Sequence, residues 1–369
     1  MTQQPGEARL PHLFRPGRIG HFATRNLIKY GACCVSNYNG RDGTITPREL
    51  ARMRVIANTG CGMITNQGAY PDPRGEGKAY FRQVAIFDDR FLPEFETIAR
   101  YIHDGGAIAI QQILHAGRYG GIDLGYCIQP SVVPQTLPHF RPPREMTKDD
   151  IRQCVREHAD AAQRAIKAGF DGTEVTSFMG YLLANFNSKF TNQRTDEYGG
   201  SLANRMRLPL QVFEAVRAAV PAAMPVGVRL SATDWVDGGW DAAQSLVFAR
   251  ALQSRGLSFL HVSSGGVSAQ QKIPIGPGYQ VGLAEQLKRE TGLPTLAVGL
   301  ITEPRQAEAI VASGQADLVA LARGMLFDPR WPWHAAAELG AQVDAPPQYW
   351  RSQPRGMSGL FGDVHIGMR

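Results

Sequence analysis

Residues 169–204 read GFDGTEVTSFMGYLLANFNSKFTNQRTDEYGGSLAN. Within them the run 172–176 has β-type composition and stops at a turn containing Gly180; Tyr181 follows at once, then a polar elbow at 192–200 and a helix that opens near Ser201. A strand that ends in a turn and hands over to a helix is the repeating unit of an alternating α/β fold. In a barrel of such units the carboxyl end of every strand faces the active site, so residues 174–181 are expected to present side chains to it. The elbow packs two glycines, an Asp-Glu pair and an Arg into one short turn, and composition alone reads it as a solvated loop.

The same alternation extends in both directions. Upstream, strands are expected at 26–31, 63–66 and 107–113, with helices at 46–58, 91–105 and 148–169; Thr46 and Thr147 stand at N-cap positions and Pro47 at a first helical position. Downstream, strands are expected at 226–230, 259–263, 295–298 and 318–321, with helices at 202–220, 242–255, 283–290 and 305–313. Counting 172–176, this makes eight strands, which predicts a single (β/α)8 barrel. An open doubly wound sheet is the runner-up, but no G-x-G-x-x-G follows the first strand. The division expected is a barrel over 1–345, plugged at its bottom by the N-terminal segment, and a Pro-, Gly- and Arg-rich tail over 346–369. The long 129–146 loop, with five prolines, reads as a lid.

Composition removes several function classes. With 43% hydrophobic and 20% charged residues in 369, the chain is ordinary for a globular protein. No apolar run reaches the roughly 18 residues of a membrane span, and the first residues lack the apolar core of a secretory signal, so a cytoplasmic site and no membrane partner are expected. Lys and Arg exceed Asp and Glu by six (39 − 33), but they are scattered, which argues against a nucleic-acid groove. The five cysteines, Cys33, Cys34, Cys61, Cys127 and Cys154, contain no C-x-x-C, so neither a disulfide framework nor a metal site is expected.

The order N-Q-R-T-D-E-Y-G-G-S-x-x-N-R at 192–205 resembles the signature of the Old Yellow Enzyme family of FMN-dependent ene-reductases. Further blocks carry the likeness from Asn26 to about Gln353: H-A-G-R at 115–118, G-Y-Q-V at 278–281, A-V-G-L-I-T at 297–302 and P-P-Q-Y-W-R at 346–351. The resemblance implies FMN contacts at Ala32, Cys34, Gly68, Gln112, Arg229, Ser264, Gly265, Gly299, Leu300, Arg323 and Gly324. It also implies a proton-donating tyrosine at Tyr181, a substrate-side residue at His115 and an arginine, Arg351, that reaches a neighbouring subunit's site. NAD(P)H is the implied co-substrate, and a homodimer or homotetramer the implied assembly.

The residues themselves bear on these assignments. Gly299 and Leu300 after strand seven, with Arg323 and Gly324 after strand eight, offer backbone donors and one guanidinium where barrels often hold phosphate; two ordinary glycine turns and a surface Arg are the alternative. One phosphate cradle without an adenosine site favours FMN over FAD. Gln112 and Arg229 would project an amide and a fixed charge into the barrel mouth, and the buried Arg needs either a flavin pyrimidine or a carboxylate such as Glu174 as partner. Cys34 would tune the flavin or serve as a small hydrophobe.

Two departures from the family pattern shape the functional expectation. Its pair of residues three apart, usually His with His or Asn, which hold the substrate's electron-withdrawing oxygen, are Thr176 and Met179 here: one hydroxyl donor and none. Ser36 stands where the family has an active-site tyrosine, which predicts a wider pocket. The expected activity is ping-pong transfer of hydride from NAD(P)H to an activated C=C on a larger small-molecule substrate, such as an enoyl thioester or conjugated ring. The alternatives are a desaturating or aromatising oxidase, or a catalytically silent flavin-binding barrel.

Overall fold

Eight short runs of β-branched and apolar residues line up side by side and close on themselves. In the computed structural model, which describes residues 10–35, 37–134 and 141–364, the barrel strands are β1 (Ile28–Tyr30), β2 (Met63–Ala69), β3 (Ile108–Ile113), β4 (Gly172–Ser177), β5 (Val226–Ser231), β6 (Phe259–Ser263), β7 (Thr295–Ala297) and β8 (Leu318–Leu321). They are parallel, and each pairs with its sequence neighbours until β8 meets β1. Outside them lie α1 (Pro47–Ala57), α2 (Leu92–Asp104), α3 (Lys148–Lys167), α4 (Leu202–Ala219), α5 (Ala242–Gln253), α6 (Val281–Thr291), α7 (Pro304–Ala312) and α8 (Trp331–Leu339). The (β/α)8 expectation holds, and the open sheet is discarded because β8 hydrogen-bonds β1.

Below the barrel an antiparallel hairpin, Gly17–Ile19 with Phe22–Thr24, inserts Ile19 among Met63, Ile108, Ile110, Phe259, Leu296 and Leu318. Ile19 has no solvent-exposed area, and burying such a side chain contributes about 1.5–3 kcal/mol. The hairpin thus closes the end opposite the strand carboxyl termini.

Caps fix where the helices start. Thr147 and Asp150 form a reciprocal capping box on α3, and Ser201 accepts from the Asn204 N–H at the start of α4. Thr46 occupies the N-cap position of α1 without capping it; its hydroxyl donates to the Tyr38 carbonyl instead. Two elements absent from the sequence expectation appear: a short helix, Leu182–Asn187, directly after Tyr181, and a parallel pair, Cys127–Gln129 with Pro143–Glu145, within the long loop. Residues 135–140 of that loop lie outside the described residues, as does Ser36.

In the elbow that composition reads as solvated, Asn192, Arg194, Tyr198 and Gly199 are buried while Gln193, Thr195, Glu197 and Gly200 stay exposed. Asn192 is 4% and Arg194 9% exposed. Arg194 holds Asp196 with two guanidinium nitrogens while Nη1 donates to the carbonyls of Pro130 (3.0 Å) and Met146 (2.7 Å), the two ends of the long loop. Asn192 Nδ2 donates to the Phe186 and Tyr198 carbonyls. These side chains replace the ladder that an irregular segment lacks.

In the tail, Tyr349 and Trp350 are partly buried and packed against this chain's own core. The Tyr349 ring lies 5.3 Å from that of Trp333 in α8, Phe361 approaches Trp333 at 5.2 Å, and Trp350 Nε1 donates to the Ala345 carbonyl. The apolar face of α8 offers these aromatics a partner without leaving the chain. Arg351 sits exposed on the 3-10 turn Pro347–Ser352.

Candidate active site

The carboxyl ends of β4 to β8 enclose a cavity of about 470 Å³ lined by Phe178, Met179, Arg229, Ser264, Gln280, Gly299, Leu300, Arg323 and Gly324. Sequence reasoning had scattered these residues over five loops. Gln280, which it did not single out as a site residue, ties two of them together: its Oε1 accepts from Ser264 Oγ (2.8 Å) and its Nε2 donates to the Val298 carbonyl (3.1 Å). Gly265 follows, its N–H donating to the Thr233 carbonyl and its carbonyl accepting from Ser231 Oγ.

The phosphate end is shaped by backbone. Gly299 has φ 119° and Leu300 φ 50°, and a Cβ on Gly299 would stand 2.6 Å from Gln280 Nε2. Only glycine leaves that space open. Across from it begins the helix Arg323–Phe327, whose first N–H groups have no acceptor within the helix. Gly299, Leu300, Arg323 and Gly324 thus line one cavity, and backbone N–H groups with a guanidinium are the donor types that hold an anion.

At the other end Arg229 lies with Cζ 4.0 Å from the Phe178 ring centroid, and its buried Nε has no hydrogen-bond partner among the described residues. Glu174, the alternative partner, makes no hydrogen bond to it. Glu174 instead takes Lys29 and His261 Nδ1 (3.1 Å) on Oε2 and Gln112 Nε2 (2.7 Å) on Oε1. An enclosed guanidinium with a free donor beside a cavity is what an acceptor edge of a planar ligand would satisfy.

On the β1 and β2 side, Cys34 is exposed although protein surrounds it, and its thiol sits beside Tyr80 and Gly68. Burial pushes the thiol up, so it stays protonated. A Cβ on Gly68 would meet Leu114 at 2.8 Å and Gln112 Oε1 at 3.0 Å. Ala32 follows the β1 end, where the Gly31 N–H donates to the Leu321 carbonyl at 2.7 Å.

Tyr181 is held at the rim. Its carbonyl accepts from the Asn185 N–H, its N–H donates to the Phe178 carbonyl, and its ring packs edge-on to Phe178 (5.3 Å) and Tyr119 (6.1 Å). Burial raises its hydroxyl above the usual phenol range, with Cys34 adding to this and Arg229 opposing it, so the proton is present at neutral pH. Thr176 is 1% exposed with Oγ1 unpartnered among the described residues, whereas Met179, at φ 53°, is 47% exposed. Left-handed backbone in a residue with a long side chain is costly and clusters at functional sites.

His115 does not line the cavity, and neither does Arg351, whose expected place is a neighbouring subunit's site. His115 is buried with its ring stacked on His158 (6.3 Å) and Nδ1 accepting from the Gly117 N–H; burial pushes it down to about 4, and only its carbonyl, bonded by the Leu182 N–H, bears on the Tyr181 turn. Arg351 lies outside the barrel and does not approach this chain's own cavity lining.

Residues 12–342 match the model of the NADH:flavin oxidoreductase / NADH oxidase family. The chain belongs to this family. Its cofactor is therefore FMN, with NAD(P)H as co-substrate, and the Old Yellow Enzyme resemblance of the elbow stands. The NADPH dehydrogenase of Geobacillus thermodenitrificans (strain NG80-2) is 36% identical over 343 residues, which is 92% of this chain and 98% of that protein. The NADH oxidase of Thermoanaerobacter brockii is 36% identical over 330 residues, 87% of this chain but 50% of the relative, so the chain spans half its length. Among solved structures, a 2-naphthoyl-CoA reductase in complex with 2-naphthoyl-CoA has a TM-score of 0.84 at 28% identity, over 89% of this chain and 52% of that one. Morphinone reductase in complex with tetrahydroNAD has a TM-score of 0.75 at 25% identity, over 92% and 93%. The described residues contain no helix long and apolar enough to cross a membrane.

Proposed function

We propose that this barrel reduces an activated C=C bond in a substrate larger than a simple enone, an enoyl or aryl thioester, with Tyr181 as proton donor. The observation that carries this is the pairing of a protonated tyrosine at the rim with the loss of the family's usual donor pair at Thr176 and Met179. When bound, FMN supplies hydride transfer, taken from NAD(P)H and given to the alkene. Gly299, Leu300, Arg323 and Gly324 hold its phosphate, Ser264 and Gly265 border its chain, and Arg229 and Gln112 meet its pyrimidine edge beside Ala32, Cys34 and Gly68. Tyr181 delivers a proton from Oη to the carbon next to the activating group. Thr176 Oγ1, buried and without a partner among the described residues, is the one side-chain hydroxyl left at the two positions. The likeness to a reductase solved with 2-naphthoyl-CoA supports the thioester class.

The test is anaerobic. Protein reduced with NADPH or NADH is mixed with aryl and 2-enoyl thioesters and with cyclohexenone, and reoxidation should be fastest with the thioesters. Cyclohexenone reacting faster than any thioester would overturn the substrate class. Missing donors at 176 and 179 also favour a second reading, desaturation of a saturated ring; oxidised protein bleached by the saturated compound would establish that direction.

We further propose a homodimer or homotetramer in which the tail, 346–369, forms part of the interface and Arg351 completes a neighbour's site. Support comes from its exposed position on a turn held in place by Tyr349 and Trp350. Tail truncation is a poor test because it uncovers Trp333. Arg351→Ala should instead lower turnover at least about tenfold, which corresponds to roughly 1.4 kcal/mol, at constant mass and flavin occupancy; unchanged turnover removes the proposal.

A further inference from the structure

Directly beneath the cavity, a lysine is sealed inside the barrel. Lys29 on β1 and Glu174 on β4 are both without exposed side-chain area, and they form an ion pair across the interior. Lys29 Nζ also lies 3.2 Å from His261 Nδ1 and 5.4 Å from the Phe259 ring centroid. Glu174 completes its coordination with Gln112, as described above. Enclosing a charge is costly, and enclosing a pair is commonly no better than an apolar substitute, so stability alone is a weak reason for this lysine.

The pair has two consequences for the layer above it. A carboxylate only accepts, so Gln112 must turn its NH2 group to Glu174, which leaves Oε1 facing Gly68. An acceptor there suits an imide N–H, which the flavin pyrimidine carries. The second consequence is charge. Arg229 and His261 are register neighbours, and Arg229 lies within electrostatic reach of both Glu174 and Lys29. An unneutralised Glu174 would cancel Arg229. With Lys29 present, one positive charge remains for the ligand.

We propose that Lys29 sets the electron affinity of bound FMN: by neutralising Glu174 it leaves the Arg229 guanidinium as the net charge of the upper barrel, and through Glu174 it turns the Gln112 amide oxygen toward the cofactor. Lys29 is thus a positioning residue acting through Glu174, not a catalytic one. The inference rests on the reading that Arg229 and Gln112 meet the pyrimidine.

Midpoint potentials of the FMN-loaded protein test it. Lys29→Met should shift the potential negative by about 30 mV or more, a tenfold change in preference for reduced over oxidised FMN in a two-electron couple. Glu174→Gln should shift it positive, and the double variant should return toward the parent; a merely structural role gives no such opposed signs. Unmoved potentials in both single variants overturn the inference. Arg229→Met separates the layers: if it also leaves the potential unmoved, the assignment of Arg229 to the pyrimidine fails as well. Should Lys29→Met not fold, because it strands a buried carboxylate, isotope-labelled lysine in the parent protein gives the answer. The Lys29 resonance, identified by its loss in the double variant, should move when dithionite reduces the bound FMN, and a resonance that stays put overturns the proposal.

Discussion

Tyr181→Phe is expected to slow the alkene half-reaction by about 10²- to 10⁴-fold, the usual contribution of a positioned general acid. Reduction by NAD(P)H should stay within about twofold, because that step draws no proton from a tyrosine. The prediction rests on what the substitution leaves in place. The ring keeps its edge-on contacts with Phe178 and Tyr119, and the backbone bonds from Asn185 and to Phe178 do not involve the hydroxyl. Only Oη, kept protonated by burial and by Cys34 against the pull of Arg229, is removed. Stopped-flow absorbance of the two half-reactions decides it. Equal losses in both would mean that the flavin is displaced and that Tyr181 supports the site without donating a proton.

Much of this architecture is legible because strand and helix periods differ. V-G-V-R-L at 226–230 and L-V-A-L at 318–321 have the composition of strands buried on both faces, and the eight strands were placed to within a few residues. Less was legible wherever meaning lies in a partner far along the chain. In I-K-Y at 28–30, Lys29 reads as a solvent-facing lysine between core residues; the carboxylate that makes it an interior residue is 145 positions away. The elbow misleads in the same way, since the polar character of Asn192 and Arg194 serves carbonyls of the long loop, not water. His115 shows the limit of motif transfer: its block is present, yet its ring stacks on His158, because packing around Gly77 draws it beneath the surface. In the tail, the ring of Trp333 sixteen positions upstream is what Tyr349 packs on, a pairing that local composition does not display.

The largest gain of function is expected from rebuilding the donor pair. Thr176→His with Met179→His should raise the rate with cyclohexenone-type substrates by about 10²- to 10³-fold, the value of a preorganised donor to a developing oxyanion. Position 179 is ready for it: the Met179 side chain is 47% exposed, and φ 53° is a conformation in which histidine is enriched among non-glycine residues. Its N–H bond to Ser231 Oγ at 3.0 Å is backbone and survives the change. Position 176 is harder, because Thr176 is 1% exposed and stands in register with Arg229, so an imidazole there must displace neighbours. Two donors acting on one oxygen are coupled, and the single variants should therefore each give less than half of the combined free-energy gain. Thioester turnover should fall in the double variant, since the imidazoles occupy space the larger substrate uses. The measurement is reoxidation of the NADPH-reduced double variant at full FMN occupancy. A loaded double variant with no gain on cyclohexenone would show that the missing donors are not what restricts this barrel, and that the backbone at Met179 and Gly266 already holds the substrate in another pose.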